Sequence, residues 1–190
     1  MRSVLLGPPG AGKGTQAVRL AQRLDVPAIS TGDIFRANIA GDTPLGRTAR
    51  SYTDVGKLVP DEVTNDMVRS RLAEPDVAKG FLLDGYPRNT AQACELEKML
   101  EALGTKLDVV VEITADTDEV VARLLGRAKI EGRVDDTEEV IRHRLEVYAR
   151  STAPLTDFYA ERGQLVRVDG MGTVDDVAER LAAALPTPGV

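Results

Sequence analysis

Aromatic residues are scarce in this sequence, 4% of 190 positions with no tryptophan. That argues against the stacking platforms on which single-stranded nucleic-acid binders lay their bases. There is one cysteine, Cys94, so an internal disulfide cannot form. The one histidine, His143, has no second ligand at useful spacing, and no protein-held zinc site is expected. No apolar run approaches the roughly 20 residues of a membrane span. Met1-Arg2-Ser3-Val4-Leu5-Leu6 runs straight into glycines, unlike a secretory leader, so a cytoplasmic protein without membrane partners is expected. Positive charge is also in deficit: the formal net charge is −6 and the pI about 4.9. A nucleic-acid backbone would be repelled on average. A small anion could still bind where basic residues converge.

Otherwise the composition, 43% hydrophobic and 28% charged, is that of an ordinary globular chain of one domain with room for appendages. Short apolar runs alternate with longer helical patterns, the signature of βαβ units and a parallel sheet in an α/β fold. Strands are expected at 3–6, 28–30, 81–84, 109–113 and 165–168, short and apolar as strands buried on both faces should be. Helices are expected at 13–23, 61–73, 91–103, 118–127, 138–150, 153–162 and 174–185. Thr117 and Thr173 suit N-caps, and Asp136 with Glu139 resembles a capping box. Cys94 falls in an apolar-periodic stretch and is expected to be buried; His143, between two arginines, is expected to be solvated. The Pro- and Gly-bearing tail 186–190 is expected to fray. Two stretches interrupt the alternation: 31–59, with two helix-like pieces and no strand, and 128–136, a polar loop. Both read as flaps inserted into the core.

The first strand runs into Gly7-Pro8-Pro9-Gly10-Ala11-Gly12-Lys13-Gly14-Thr15 before a helix. This fits the phosphate-loop pattern GxxxxGK[ST] through its lysine, but Gly14 stands where Ser or Thr is usual and Thr15 comes one later. Glycines let consecutive N–H groups curl around a phosphate, the helix aims its positive end there, and Lys13 adds a full charge. The bland alternative, a tight turn with an incidental lysine, fits the three glycines and strand–loop–helix context poorly. The pattern points to a nucleoside triphosphate without separating a kinase from a GTPase or a motor.

A second signature is Phe81-Leu82-Leu83-Asp84-Gly85-Tyr86-Pro87-Arg88, followed by Gln92. Three apolar residues end in an aspartate at the carboxyl end of a strand, the edge where open α/β sheets bind ligands. There a carboxylate can position Mg²⁺ through water beside a triphosphate.

Together, Gly-Pro-Pro-Gly-Ala-Gly-Lys-Gly-Thr and Asp-Gly-Tyr-Pro-Arg-x-x-x-Gln resemble the adenylate kinase family. The resemblance continues through Ser30-Thr31-Gly32-Asp33 with Arg36, Leu58-Val59-Pro60, Gly126-Arg127, Arg133-Val134-Asp135-Asp136, Arg144 and Thr152-Ala153-Pro154-Leu155. It implies a three-layer P-loop NTPase fold with a central parallel five-stranded sheet, a helical AMP-binding flap and a short lid. The core would be 1–29, 60–126 and 137–190, the AMP insertion 30–59 and the lid 127–136. Gly10, Ala11, Gly12, Lys13, Gly14 and Thr15 would hold ATP phosphates. Arg123 would stack on the ATP adenine, Arg127 would contact its phosphates, and the Gly172 backbone would lie near that base. Thr31, Arg36, Lys57, Leu58, Val59, Gly85, Tyr86, Pro87, Arg88 and Gln92 would bind AMP, with Gln92 on the adenine edge and Arg36 and Arg88 on the phosphate. Arg133 and Arg144 would bridge toward the transferring group and AMP. Lys13, Arg88, Arg127, Arg133 and Arg144 are thus the expected catalytic set. Asp84, and Asp33 with it, would organise the water shell of Mg²⁺, the expected cofactor. The partners implied are ATP, AMP and ADP, and the oligomeric state a monomer.

The charges fit independently. Residues 123–133 carry a net +3 in an acidic chain. The chain does prefer arginine, 18 to 6 lysines, and a merely solvated face would read the same way without the motifs. An AMP phosphate, with a second pKa of about 6, is a dianion at neutral pH and needs no general base. Alignment and charge neutralisation then suffice, and guanidinium groups suit both. The rival within the class is a UMP/CMP kinase, but such relatives tend to carry Ala at the position of Thr31 and Asn at that of Gln92. A GTP-binding switch would need an Asn-Lys-x-Asp motif, which is absent, and a catalytically dead binding module would not need the full motif set.

Overall fold

The computed structural model describes residues 1–131 and 137–185. Five parallel strands form one sheet in the order β2-β3-β1-β4-β5: β1 Arg2–Leu6, β2 Ala28–Ser30, β3 Phe81–Asp84, β4 Val109–Thr114 and β5 Leu165–Asp169. The α/β class and the five-stranded parallel sheet are as the sequence predicts. Strand side chains alternate between two layers. Val4, Leu6, Phe81, Leu83 and Val110 face one, packed by α4 (Asp61–Leu72), α5 (Thr90–Ala102) and α8 (Leu155–Ala160). Leu5, Leu82, Val109, Val111 and Val168 face the other, under α1 (Lys13–Leu24) and α9 (Val174–Ala184). This period-two split is why the strands read as continuous apolar runs.

Between β2 and α4 stand α2 (Thr31–Ala40) and α3 (Pro44–Thr53), with a small cluster of their own around Phe35, Ala49 and Val59. Across the sheet edge, α6 (Thr117–Glu131) packs on α7 (Glu138–Val147) through Val120, Leu124 and Ile141. No described helix is long and apolar enough to cross a membrane.

Several expectations are corrected. Helix α6 continues through 128–131, where a loop was expected; Ala128, Lys129 and Glu131 are good helix formers, and no breaker comes before Gly132. The rest of the expected lid, 132–136, and the tail 186–190 lie outside the described residues. Asp116, not Thr117, caps α6, its Oδ1 accepting from the N–H groups of Asp118 and Glu119. Thr137 caps α7 by accepting from Val140 N–H, while Asp136 lies outside the described residues. The expected Thr173 cap forms, as a full capping box with Asp176. Helix α7 ends at Val147 in one widened turn, Tyr148–Thr152, with Ala153 N–H bonded to Tyr148 O at 2.9 Å. Cys94 is exposed: on α5 the buried positions are Gln92, Ala93, Leu96, Met99 and Leu100, and Cys94 turns away from them. His143 is half-buried, because the end of the insertion at Gly56 packs against it.

Candidate active site

The chain leaves β1 toward one edge of the sheet and β3 toward the other, so a crevice opens at the carboxyl ends of these neighbours. Two cavities meet there. The first, about 770 Å³, is lined by Gly10, Ala11, Gly12, Lys13, Gly14 and Thr15, by Asp33 and Asp84, and by Arg123, Arg127 and Gly172. The second, about 360 Å³, lies under α2 and α3 and is lined by Thr31, Lys57, Leu58, Val59 and Gln92 among others. Arg36, Gly85, Arg88 and Arg144 line both.

The loop after β1 is shaped for an anion. Gly12 caps α1 at φ 88°, and a Cβ there would meet no atom within 4 Å. Glycine is therefore required by the left-handed backbone, not by crowding. Helix α1 has no side-chain N-cap, so its first N–H groups face the cavity without a protein acceptor of that kind. Lys13 Nζ donates to the carbonyls of Gly7 (2.8 Å) and Pro8 (2.9 Å), which folds it back over the loop. Burial lowers its pKa to about 8; Asp84 opposes the shift, and Arg88, Arg144 and Arg127 reinforce it. Arg123 donates to Glu119 and to Gly170 O, bracing it beside Gly172. The Asp84 carboxylate takes no hydrogen bond from a described residue, whereas Asp33 pairs with Arg36.

The second signature folds into the wall between the cavities. Gly85 has φ 85°, and a Cβ there would lie 2.6 Å from Thr31 Oγ1, so only glycine fits. Arg88 Nε donates to Gly85 O at 2.8 Å, which anchors the guanidinium at one edge and leaves its two Nη groups for a ligand. Burial pulls the Arg88 pKa down, with Arg144 and Arg36 adding to it and Asp84 opposing. Arginine remains charged regardless. Lys13, Arg88 and Arg144 thus stand near enough to oppose one another's charge, an arrangement that a polyanion relieves.

Two residues expected at the site line neither cavity. Tyr86 is wholly buried, its hydroxyl donating to Asn65 Oδ1 (2.7 Å) with Gln92 O at 3.2 Å, and Pro87 is buried beside it. Both stand in the turn that leads from β3 to Arg88. Arg133 lies outside the described residues. The sequence reading assigned no role to two residues lining the second cavity, Tyr148 and Thr152, or to Asp61 behind Gln92. The pKa of Tyr148 is pushed up to about 12, chiefly by burial. Thr152 Oγ1 donates to Arg88 O at 2.8 Å. Asp61 accepts from Gln92 Nε2 at 2.7 Å. Only Thr152 left a trace in the sequence, as part of a motif block without an assigned role.

Comparison with known proteins follows the same lines. A model of the family described as "Adenylate kinase" matches residues 5–164. The adenylate kinase of Kocuria rhizophila is 64% identical over 184 residues, covering 97% of this chain and 98% of that protein. That of Thermobifida fusca is 59% identical over 185 residues, covering 97% and 98%. That of Stenotrophomonas maltophilia is 54% identical over 185 residues, covering 97% and 99%.

Proposed function

Because this chain belongs to the adenylate kinase family, and is thus a phosphotransferase that interconverts ATP plus AMP with two ADP, we propose that its two cavities hold the two nucleotides with their phosphates meeting at the shared wall. The observation that carries this is the sharing itself: Arg36, Arg88 and Arg144 line both cavities. The larger cavity, with the glycine loop and Lys13, takes ATP, and Arg123 and Gly172 flank its base. The smaller takes AMP, with Thr31, Lys57, Leu58, Val59 and Gln92 around the nucleoside.

Catalysis is then alignment and neutralisation. The AMP phosphate is its own nucleophile, and Arg88 and Arg144 hold it in line with the γ-phosphate while Lys13, Arg127 and Arg133 draw charge from the phosphoryl group in transit. Among the described residues no cluster of three or more His, Cys, Asp or Glu could grip a metal directly. Asp84, whose carboxylate takes no hydrogen bond from a described residue and which lines the ATP cavity beside the loop, suits a metal that keeps most of its water; Asp33 is the second candidate. Bound with ATP, Mg²⁺ would supply charge neutralisation beside the triphosphate. The insertion 30–59 acts as a cover over the smaller cavity and keeps water from the reacting phosphates.

A coupled assay for ADP formed from ATP and Mg²⁺ with AMP, UMP, CMP or GMP tests the reading. Preference for AMP is expected, and preference for another acceptor overturns the assignment. Tight binding of two adenosines joined through five phosphates is expected, competitive with both substrates. Failure to compete with either one sinks the shared-wall geometry.

A further inference from the structure

Gln92 reaches the AMP cavity with an amide that is already committed on two sides. Its Oε1 accepts from the backbone N–H of Arg88 at 2.7 Å, and its Nε2 donates to Asp61 Oδ1 at 2.7 Å. A backbone N–H can only donate and an ionised carboxylate can only accept, so these partners permit one orientation of the amide. Turned over, it would set oxygen against the carboxylate and NH₂ against the N–H. The carboxylate is itself held: Asn89 Nδ2 donates to both Asp61 oxygens at 3.0 Å, and Asn89 Oδ1 caps α5 by accepting from Gln92 N–H at 2.8 Å. One N–H and one oxygen lone pair of Gln92 remain uncommitted.

That matters because purine 6-substituents reverse the pattern on the Watson–Crick edge. Adenine offers an acceptor at N1 and a donor at its 6-amino group; hypoxanthine offers a donor at N1 and an acceptor at O6. A glutamine free to rotate could serve either. We propose that Asp61 is a positioning residue that locks the Gln92 amide in one orientation and so makes the acceptor site select a 6-aminopurine over a 6-oxopurine. The selection rests on the reading of the smaller cavity as the AMP site. Asp61 touches no substrate; it acts through Gln92.

The test is Asp61→Asn, whose amide can itself turn to accommodate either state of Gln92, assayed with AMP and IMP at saturating ATP. The wild type is expected to favour AMP by about 10³-fold or more in kcat/KM, as a site built around hydrogen bonds does. In Asp61→Asn that ratio should fall about tenfold, the worth of one hydrogen bond; Arg88 N–H preserves the rest. Asp61→Ser, which keeps a polar group at the start of α4, serves if the amide variant does not fold. A purely structural role would lower both activities by the same factor, and an unchanged ratio in the folded variant overturns the proposal. Gln92→Leu separates the two levels. If it leaves the AMP KM and the ratio untouched, the AMP-site reading itself fails; if it collapses the preference while Asp61→Asn does not, only the lock is lost.

Discussion

Arg88 carries the most consequence of any single side chain. Its Nε is tied to Gly85 O and it stands in the wall common to both cavities. Arg88→Ala should therefore lower kcat/KM for AMP by about 3 kcal/mol or more, over a hundredfold, because a phosphate loses a charged two-pronged partner in a sheltered site. Steady-state kinetics near wild type would remove Arg88 from the phosphate site. Lys13 offers a prediction in pH. Its pKa, lowered by burial to about 8, lies below its ordinary value. The unfolded chain therefore binds more protons than the folded one from about 8 to its ordinary value of about 10.4, and this group's contribution to stability rises with pH across that window. A bound triphosphate favours the charged form and restores the pKa. Calorimetry at pH 8.5 to 9 in buffers of different ionisation enthalpy should show proton uptake on ATP binding, absent in Lys13→Met and, for this group, vanishing near pH 6.5. No uptake in the wild type would place the lysine away from the phosphates.

Elements act on the site by how they end. The widened turn Tyr148–Thr152 closes α7 and brings Thr152 Oγ1 onto the Arg88 carbonyl at 2.8 Å, joining residues 64 apart in sequence. Thr152→Val keeps the shape and removes that bond. It should raise the KM for AMP about three- to tenfold, the worth of one buried hydrogen bond, with kcat changed less; an unchanged KM would make the contact incidental. Element positions were largely readable. Both β2 and β3 fall on the expected residues: β3 because an interior parallel strand packed on both faces leaves an unbroken apolar run, and β2, an edge strand with Ala28 exposed, because the turn-forming Asp25 and Pro27 precede it. The end of α6 was not readable: polarity in 128–131 resembles a loop, yet exposed helix turns are polar too. Cys94 misled for a related reason, since a helix with a wide buried stripe leaves neighbouring apolar positions on the solvent side.

For the molecule as a whole, the smaller cavity is roofed by α2 and α3, which have a core cluster separate from the two layers beside the sheet. A unit with its own core can move as a body. Binding of the five-phosphate bisubstrate should therefore lower the radius of gyration measured by small-angle scattering, more than either nucleotide alone does. An unchanged radius with both sites filled would remove the closure of the insertion.

The sequence by itself determined the glycine-rich strand–loop–helix, the parallel sheet, and the family, because these rest on local chemistry: glycines where φ is positive, apolar runs of fixed period, charges at fixed spacing. Only the tertiary structure decided that Arg36, Arg88 and Arg144 stand between two cavities, that the Tyr86 side chain is buried in the core, and that Asp61 reaches Gln92. Those are encounters between segments far apart along the chain. Such segments are brought together by burying apolar faces that carry no record of which polar side chains will meet at their ends.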